Sequence, residues 1–283
     1  MEVPGYQTRR VEKSPQKIEQ DENTPIIDII RHPETIYKQG EYRGTNTIRP
    51  EYNGQPLDTS DPNFELSKKY LDVTSEGIET MQATAKDLLR MINKEKELVL
   101  IISSPSWRAH SGALIAEKEL RENGIEILNN PGEFKFSEFL NATLSRIGKL
   151  EKECINLGID IKTKEGAKIL ETKRREFEAH IFQQFLRHMN NVYDYLSPQI
   201  LEKLKGKRLR ILCFTHSEIT GNFIREAGLE IDGKVQKNSQ ILEVVPESKL
   251  KKGKEVATDI KLYPTQKHPG KEARIMRGFK SKE

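Results

Sequence analysis

Three short apolar runs constrain this chain more than any other feature. Ile26, Ile27, Ile29 and Ile30 form the first, residues 98–102 the second and residues 209–214 the third. Each is shorter than a buried helix, rich in large aliphatic residues, and stops abruptly at polar residues, the pattern of a strand covered on both faces. Between them the period changes. From Ser75 onward, Ile78, Met81, Ala85, Leu88, Leu89 and Ile92 recur at helical spacing, with Thr74 or Ser75 as N-cap. Further helices are expected to about residue 122, over about 168–196 with Pro198 just beyond, and to about residue 227. Strands alternating with helices predict an α/β fold with a mostly parallel sheet and crossover helices. Residues 125–128 are a short strand candidate, and residues 240–245 read as the last strand.

The flanks and bulk properties limit the function classes. Residues 1–24 are polar and charged, without the apolar core of a secretory signal, so they read as an extension. No apolar run approaches the roughly 18 residues of a membrane span, so no membrane partner is expected and a cytoplasmic location is the expectation. Cys154 and Cys213 are the only cysteines, too few for a disulfide framework and without thiols at metal-ligand spacing. The net charge of +4 is uneven: residues 247–283 hold eleven Lys or Arg against five Asp or Glu. They read as a basic C-terminal tail, solvated or loosely docked, with only Tyr263 and Phe279 as aromatics. Nucleic acid is disfavoured as a partner, because stacking aromatics are not interleaved with the cations. Residues 44–68, rich in Asn, Pro, Gly, Asp and Ser, form a candidate lid or substrate-facing loop.

The chemistry lies at the strand ends. The first run stops at Arg31-His32, the second leads through Ser103-Ser104-Pro105-Ser106-Trp107 to Arg108, and the third ends at Thr215-His216. Parallel neighbours would bring two histidines and two arginines to one carboxyl edge, where open α/β sheets bind ligands. A neutral imidazole can attack a phosphoryl group if cations hold its oxygens and an acid protonates the leaving group. Arginine forks match phosphate oxygens, and histidine is the nucleophile whose ordinary pKa lies near neutrality.

Over about residues 25–246 this order of motifs resembles the histidine phosphatase superfamily, the phosphoglycerate-mutase-like enzymes. Its Arg-His-Gly-Glu-Thr resembles Arg31-His32-Pro33-Glu34-Thr35, and its Leu-Thr-x-x-Gly helix start resembles Val73-Thr74-Ser75-Glu76-Gly77. Its Ser-Ser-Pro-x-x-Arg-Ala is similar to the run from Ser103 to Ala109, its second histidine to His216, and its closing Asn-x-x-Ile-x-x-Val to Asn238, Ile241 and Val244. The resemblance implies a three-layer α/β/α sandwich, and the mainly helical stretch over about 139–207, which matches no motif, reads as a helical insertion. It also implies phosphomonoester hydrolysis through a phosphohistidine on His32, with Arg31 and Arg108 binding phosphate and His216 stabilising the transferring group. Neither metal nor cofactor is implied. The substrate would be a small-molecule or protein phosphomonoester, and the oligomeric state stays open. A phosphoglycerate-type mutase and a non-catalytic phospholigand-binding relative are the alternatives.

The departures are specific. Pro33 replaces a glycine and removes an N–H, Lys38 stands near a common asparagine, and Gly112 replaces the threonine of Arg-Ala-x-x-Thr-Ala. For the acid, the resemblance points to a glutamate about 25 to 30 residues after Arg108: Glu138 ranks first and Glu133 second. Glu218, two after His216, stands one residue late for the acid-phosphatase pattern. His110, His180, His188 and His268 lack a matching context, and Lys173-Arg174-Arg175 reads as a solvated helix face.

Overall fold

The computed structural model describes residues 24–35, 73–137, 140, 144–226, 229, 236–246, 258–264 and 274–279. The polar extension up to residue 23 and the candidate lid at 44–68 lie outside the described residues. The elements are β1 (Ile26–Arg31), α1 (Ser75–Met91), β2 (Glu97–Ser103), α2 (Trp107–Glu122), β3 (Lys135–Phe136) and α3 (Leu144–Asn156). They continue through α4 (Lys164–Asn190), a 3-10 turn (Val192–Tyr195), α5 (Pro198–Lys203), β4 (Arg208–Thr215), α6 (Ser217–Glu226), β5 (Ile241–Pro246), β6 (Thr258–Leu262) and β7 (Arg274–Phe279).

One seven-stranded sheet runs in the order β3-β2-β4-β1-β5-β6-β7. β3, β2, β4 and β1 are mutually parallel, as the strand–helix alternation predicts. β5, β6 and β7 continue the sheet antiparallel. Alternation along the strands splits the apolar residues between two faces. Ile27, Ile29, Leu100, Ile211 and Cys213 pack with Phe185 and Met189 of α4 and Ile224 of α6. Ile30, Val99, Ile101, Leu212 and Phe214 pack with α1 and α2 through Ile78, Met81, Leu88, Ala113 and Leu120. This is the expected three-layer α/β/α sandwich. Full burial of each such aliphatic side chain contributes about 1.5–3 kcal/mol, which explains why short runs suffice to fix central strands.

Local signals set the helix ends. Thr74 caps α1, its Oγ1 accepting from Gly77 N–H at 2.9 Å. Thr163 caps α4 in the same way through Gly166 N–H at 3.0 Å, so that helix starts before residue 168. It also stops earlier than expected, at Asn190, and Val192–Tyr195 tightens into the 3-10 turn. Residues 125–128 do not form a full strand. Ile127 makes one bridge to Val99, and the Asn129 side chain then takes over the ladder, pairing with both Ile101 N–H (2.8 Å) and Ile101 O (3.1 Å). A side-chain amide in place of the backbone ends the pairing.

Where a basic tail is expected, the sheet instead continues. Ile260 and Leu262 are buried at period two, while Lys261 between them reaches Glu243 of β5 at 2.9 Å. Two core residues set among charges are too weak a pattern to outweigh the basic composition, so β5 is not the last strand. Lys261 belongs to a buried charged layer on the α1/α2 face. Arg210 bonds Asp28 at 2.7 Å, Glu97 at 2.6 Å and Glu243 at 3.4 Å, tying β4 to β1 and β2 and reaching across to β5. Burial, opposed by Arg210, pushes the Asp28 carboxyl up to about 6.

Candidate active site

Because β2, β4 and β1 are parallel neighbours, their carboxyl ends stand side by side, with Arg31 level with Thr215 and Ser103 level with Phe214. Backbone bonds carry the register past the strands. His32 N–H donates to Thr215 O at 2.9 Å and Ser104 N–H to Phe214 O at 2.9 Å. These contacts bring His32, Ser104 and His216 to one level. The two imidazoles are both buried, with ring centroids 5.1 Å apart.

Each ring has an assignable proton. His32 Nδ1 lies 2.7 Å from Pro33 O, and a carbonyl can only accept, so Nδ1 carries the hydrogen. In the neutral ring Nε2 then holds the lone pair. Arg108 Nε donates to His216 Nδ1 at 3.3 Å, which leaves the proton of neutral His216 on Nε2, facing Ser104 Oγ at 3.1 Å. Both rings are held well below the ordinary histidine pKa. For His32 burial dominates, followed by His216, Arg108 and Arg31; for His216 burial is followed by Arg108 and Arg31. Cations beside buried neutral imidazoles favour the binding of an anion.

The arginines enter from different elements. Arg31, the last residue of β1, donates Nη1 to Gln236 O at 2.7 Å. Gln236 is locked by its own side chain, donating to Ile29 O and Gln240 O and accepting from Thr220 Oγ1 at 2.7–2.8 Å. Arg108 lies in the first turn of α2, and His216 immediately precedes α6. Two helix N-termini therefore begin at the site, an arrangement that favours anions. Ser239, at a positive φ of 58°, donates its N–H to both Arg31 O (3.1 Å) and His32 O (3.3 Å), and its carbonyl accepts from Thr84 Oγ1 of α1 at 2.8 Å. The turn after His32 rests on α1, where Thr74 N–H donates to Glu34 O and a Cβ on Gly77 would collide with the same carbonyl.

The structure thus brings Arg31, His32, Arg108 and His216 together, as the sequence predicts. Glu133 is exposed and its carboxylate accepts from Asn130 Nδ2 at 2.8 Å. It precedes β3, in which Lys135 is level with Ile102, so it stands on the amino-terminal side of the carboxyl edge. Glu138 and the Glu218 side chain lie outside the described residues. Sequence reasoning had no role for Gln236 or Thr84, which act on the site through backbone contacts and carry no motif. Ser104 and Ser239 lie inside the recognisable motifs, but nothing in those motifs points to their contacts with His216 and His32. Among the described residues no group of three or more His, Cys, Asp or Glu is placed to hold a metal, and no helix is long and apolar enough to cross a membrane.

No family model matches the chain, and no curated protein matches it in sequence. Solved structures do. Phosphoglycerate mutase from Bacillus anthracis str. Sterne is 12% identical over 79% of this chain and 89% of its own, with TM-score 0.40. Mycobacterial glucosyl-3-phosphoglycerate phosphatase Rv2419c with VO3 is 11% identical over 84% and 98%, with TM-score 0.41. A structure named as SixA phosphohistidine phosphatase from Agrobacterium tumefaciens is 10% identical over 87% and 99%, with TM-score 0.38. At such identities and scores the side chains described above, and not the likenesses, carry the functional reading.

Proposed function

We propose that this chain hydrolyses phosphomonoesters through a phosphohistidine on His32, as a phosphatase of the histidine phosphatase type. The observation that carries the reading is the His32 ring: buried, uncharged, its Nδ1–H given to Pro33 O, its Nε2 left with a lone pair, and the ring within the electrostatic reach of His216 and two arginines. A nucleophile needs that lone pair, and a phosphoryl group needs the cations.

In the first step the His32 Nε2–P bond forms as the ester P–O bond breaks. Arg31 and Arg108 take charge on the equatorial oxygens, and the Nε2–H of His216 is a further donor to them. The leaving alkoxide takes a proton from a carboxylic acid. Chain direction favours Glu138 over Glu133 for that task, since Glu138 follows Ser137, whose N–H bonds Ser103 O at the carboxyl edge. In the second step water attacks phosphorus, the P–N bond breaks, and the carboxylate accepts the water proton, releasing inorganic phosphate and restoring neutral His32.

The bound dianion also changes the electrostatics. It offsets the cations that depress both imidazoles, so phosphate and neutral histidines are mutually compatible only with the arginines in place. The test is alkaline trapping of labelled phosphate on the protein, with p-nitrophenyl phosphate and a set of alkyl phosphates as substrates. Label on His32, lost in His32→Ala together with turnover, is expected. Hydrolysis by His32→Ala at the wild-type rate would overturn the proposal.

A further inference from the structure

The two departures from the family pattern that flank the site, Pro33 and Gly112, meet in space. A Cβ built on Gly112 would lie 2.9 Å from Pro33 Cδ, closer than real Cβ contacts come, while Met81 Cε at 3.3 Å and Phe214 Cδ1 at 3.5 Å are easier neighbours. Met81 ends in a flexible chain that can yield. The proline ring cannot, because φ is fixed and the ring closes onto its own backbone nitrogen. Gly112 also sits inside α2, where glycine is the least favourable residue short of proline. Local propensity argues against it, so its place is explained by what it makes room for.

What it makes room for bears on the nucleophile. The carbonyl of Pro33 accepts the Nδ1–H of His32 at 2.7 Å and so fixes both tautomer and ring direction. Displacing the ring at Cδ turns the same residue that carries this carbonyl. Gly112 is four residues after Arg108 on one helix, so the same face of α2 supplies a phosphate-binding cation and the notch for the ring. We propose that Gly112 is a positioning residue for His32, acting through the Pro33 ring, which would make the two positions one coupled unit. This rests on His32 being the nucleophile.

A double-mutant cycle on the full chain tests it, with Gly112→Ala, Pro33→Ala and the pair. Turnover of p-nitrophenyl phosphate is measured with the 15N spectrum of the imidazoles. Gly112→Ala is expected to lose about 10- to 100-fold in kcat, in line with an ångström-scale misplacement, with KM within about threefold. Its His32 Nδ1–H signal should shift. In the Pro33→Ala background the same change should cost less than about threefold and leave the signal in place. An equal loss in both backgrounds, or no loss in either, would overturn the coupling. If Gly112→Ala does not fold, recovery of folding in the pair supports the proposal and its absence counts against it. If the wild type neither turns over nor traps phosphate, the function reading has failed, and the 15N cycle still decides whether Gly112 sets the ring of His32.

Discussion

Replacing Arg108 by alanine tests the electrostatic logic of the site in two ways at once. The guanidinium sits 3.3 Å from His216 through Nε, and its charge helps hold both imidazoles below the ordinary histidine pKa. A unit charge within 4 Å of an anionic oxygen is worth about 4 kcal/mol at an effective dielectric near 20. Arg108 is only partly buried, and Arg31 remains, so screening places the loss near the value for one oxyanion donor. That is about 2.7–4 kcal/mol, or 10²–10³ in kcat/KM. The second effect is on pH. With one cation gone, both histidine pKa values should move up toward 6.5, shifting the acid limb of kcat/KM upward relative to wild type. Arg108→Lys keeps the charge without the planar fork, so it should restore the pH limb more fully than the rate. The assay is phosphate release between pH 4 and 8, with circular dichroism to establish folding. A folded Arg108→Ala protein with unchanged kcat/KM and an unmoved acid limb would refute this account.

Three further outcomes are expected. Glu138→Gln should reduce hydrolysis of alkyl phosphates far more than of p-nitrophenyl phosphate, whereas Glu133→Gln should leave that ratio unchanged; the reverse pattern would reassign the acid. Arg210→Met leaves Asp28, Glu97 and Glu243 without their shared cation and should cost about 3–5 kcal/mol in urea unfolding at pH 7, a loss under about 1 kcal/mol refuting the buried-pair argument. For pH, the unfolded histidines bind protons near 6.5 and the folded ones well below it, so His32 and His216 lend stability that falls as pH drops below 6.5. Asp28 acts oppositely, since it binds its proton at about 6 when folded and near 3.8 when unfolded. Comparing wild type with His32→Asn between pH 7 and 4.5 isolates the histidine contribution, and identical slopes would refute it.

How much of this could be read from the chain depends on where each interaction is encoded. Arg31, His32, Arg108 and His216 were legible because each stands at or just beyond the end of a strand whose burial is written in a short, largely aliphatic run. Parallel order then places their ends together. Thr74 was legible as one of two cap candidates, with Ser75, because a capping hydroxyl acts only three residues away. Gln236 and Thr84 were not legible, since one lends a main-chain carbonyl to Arg31 and the other a hydroxyl to the Ser239 carbonyl across more than a hundred residues. β6 was hidden for another reason. Its two buried residues alternate with Asp259 and Lys261, and Lys261 counts as tail charge until Glu243 is seen beside it. The short candidate at 125–128 failed because the residue that ended it, Asn129, competes through its side chain.

The hydrogen bond that orients His32 comes from a peptide group and not from a carboxylate. Every residue type carries that carbonyl, so an alanine scan would pass over position 33 without removing the acceptor, and an inventory of polar side chains would not count it. Inheritance of the site then has two layers. Arg31, His32, Arg108 and His216 are vulnerable to single codon changes. The orientation of the ring is shielded from the loss of a side chain's polar group and exposed to changes that move the chain at Pro33, Gly112→Ala among them.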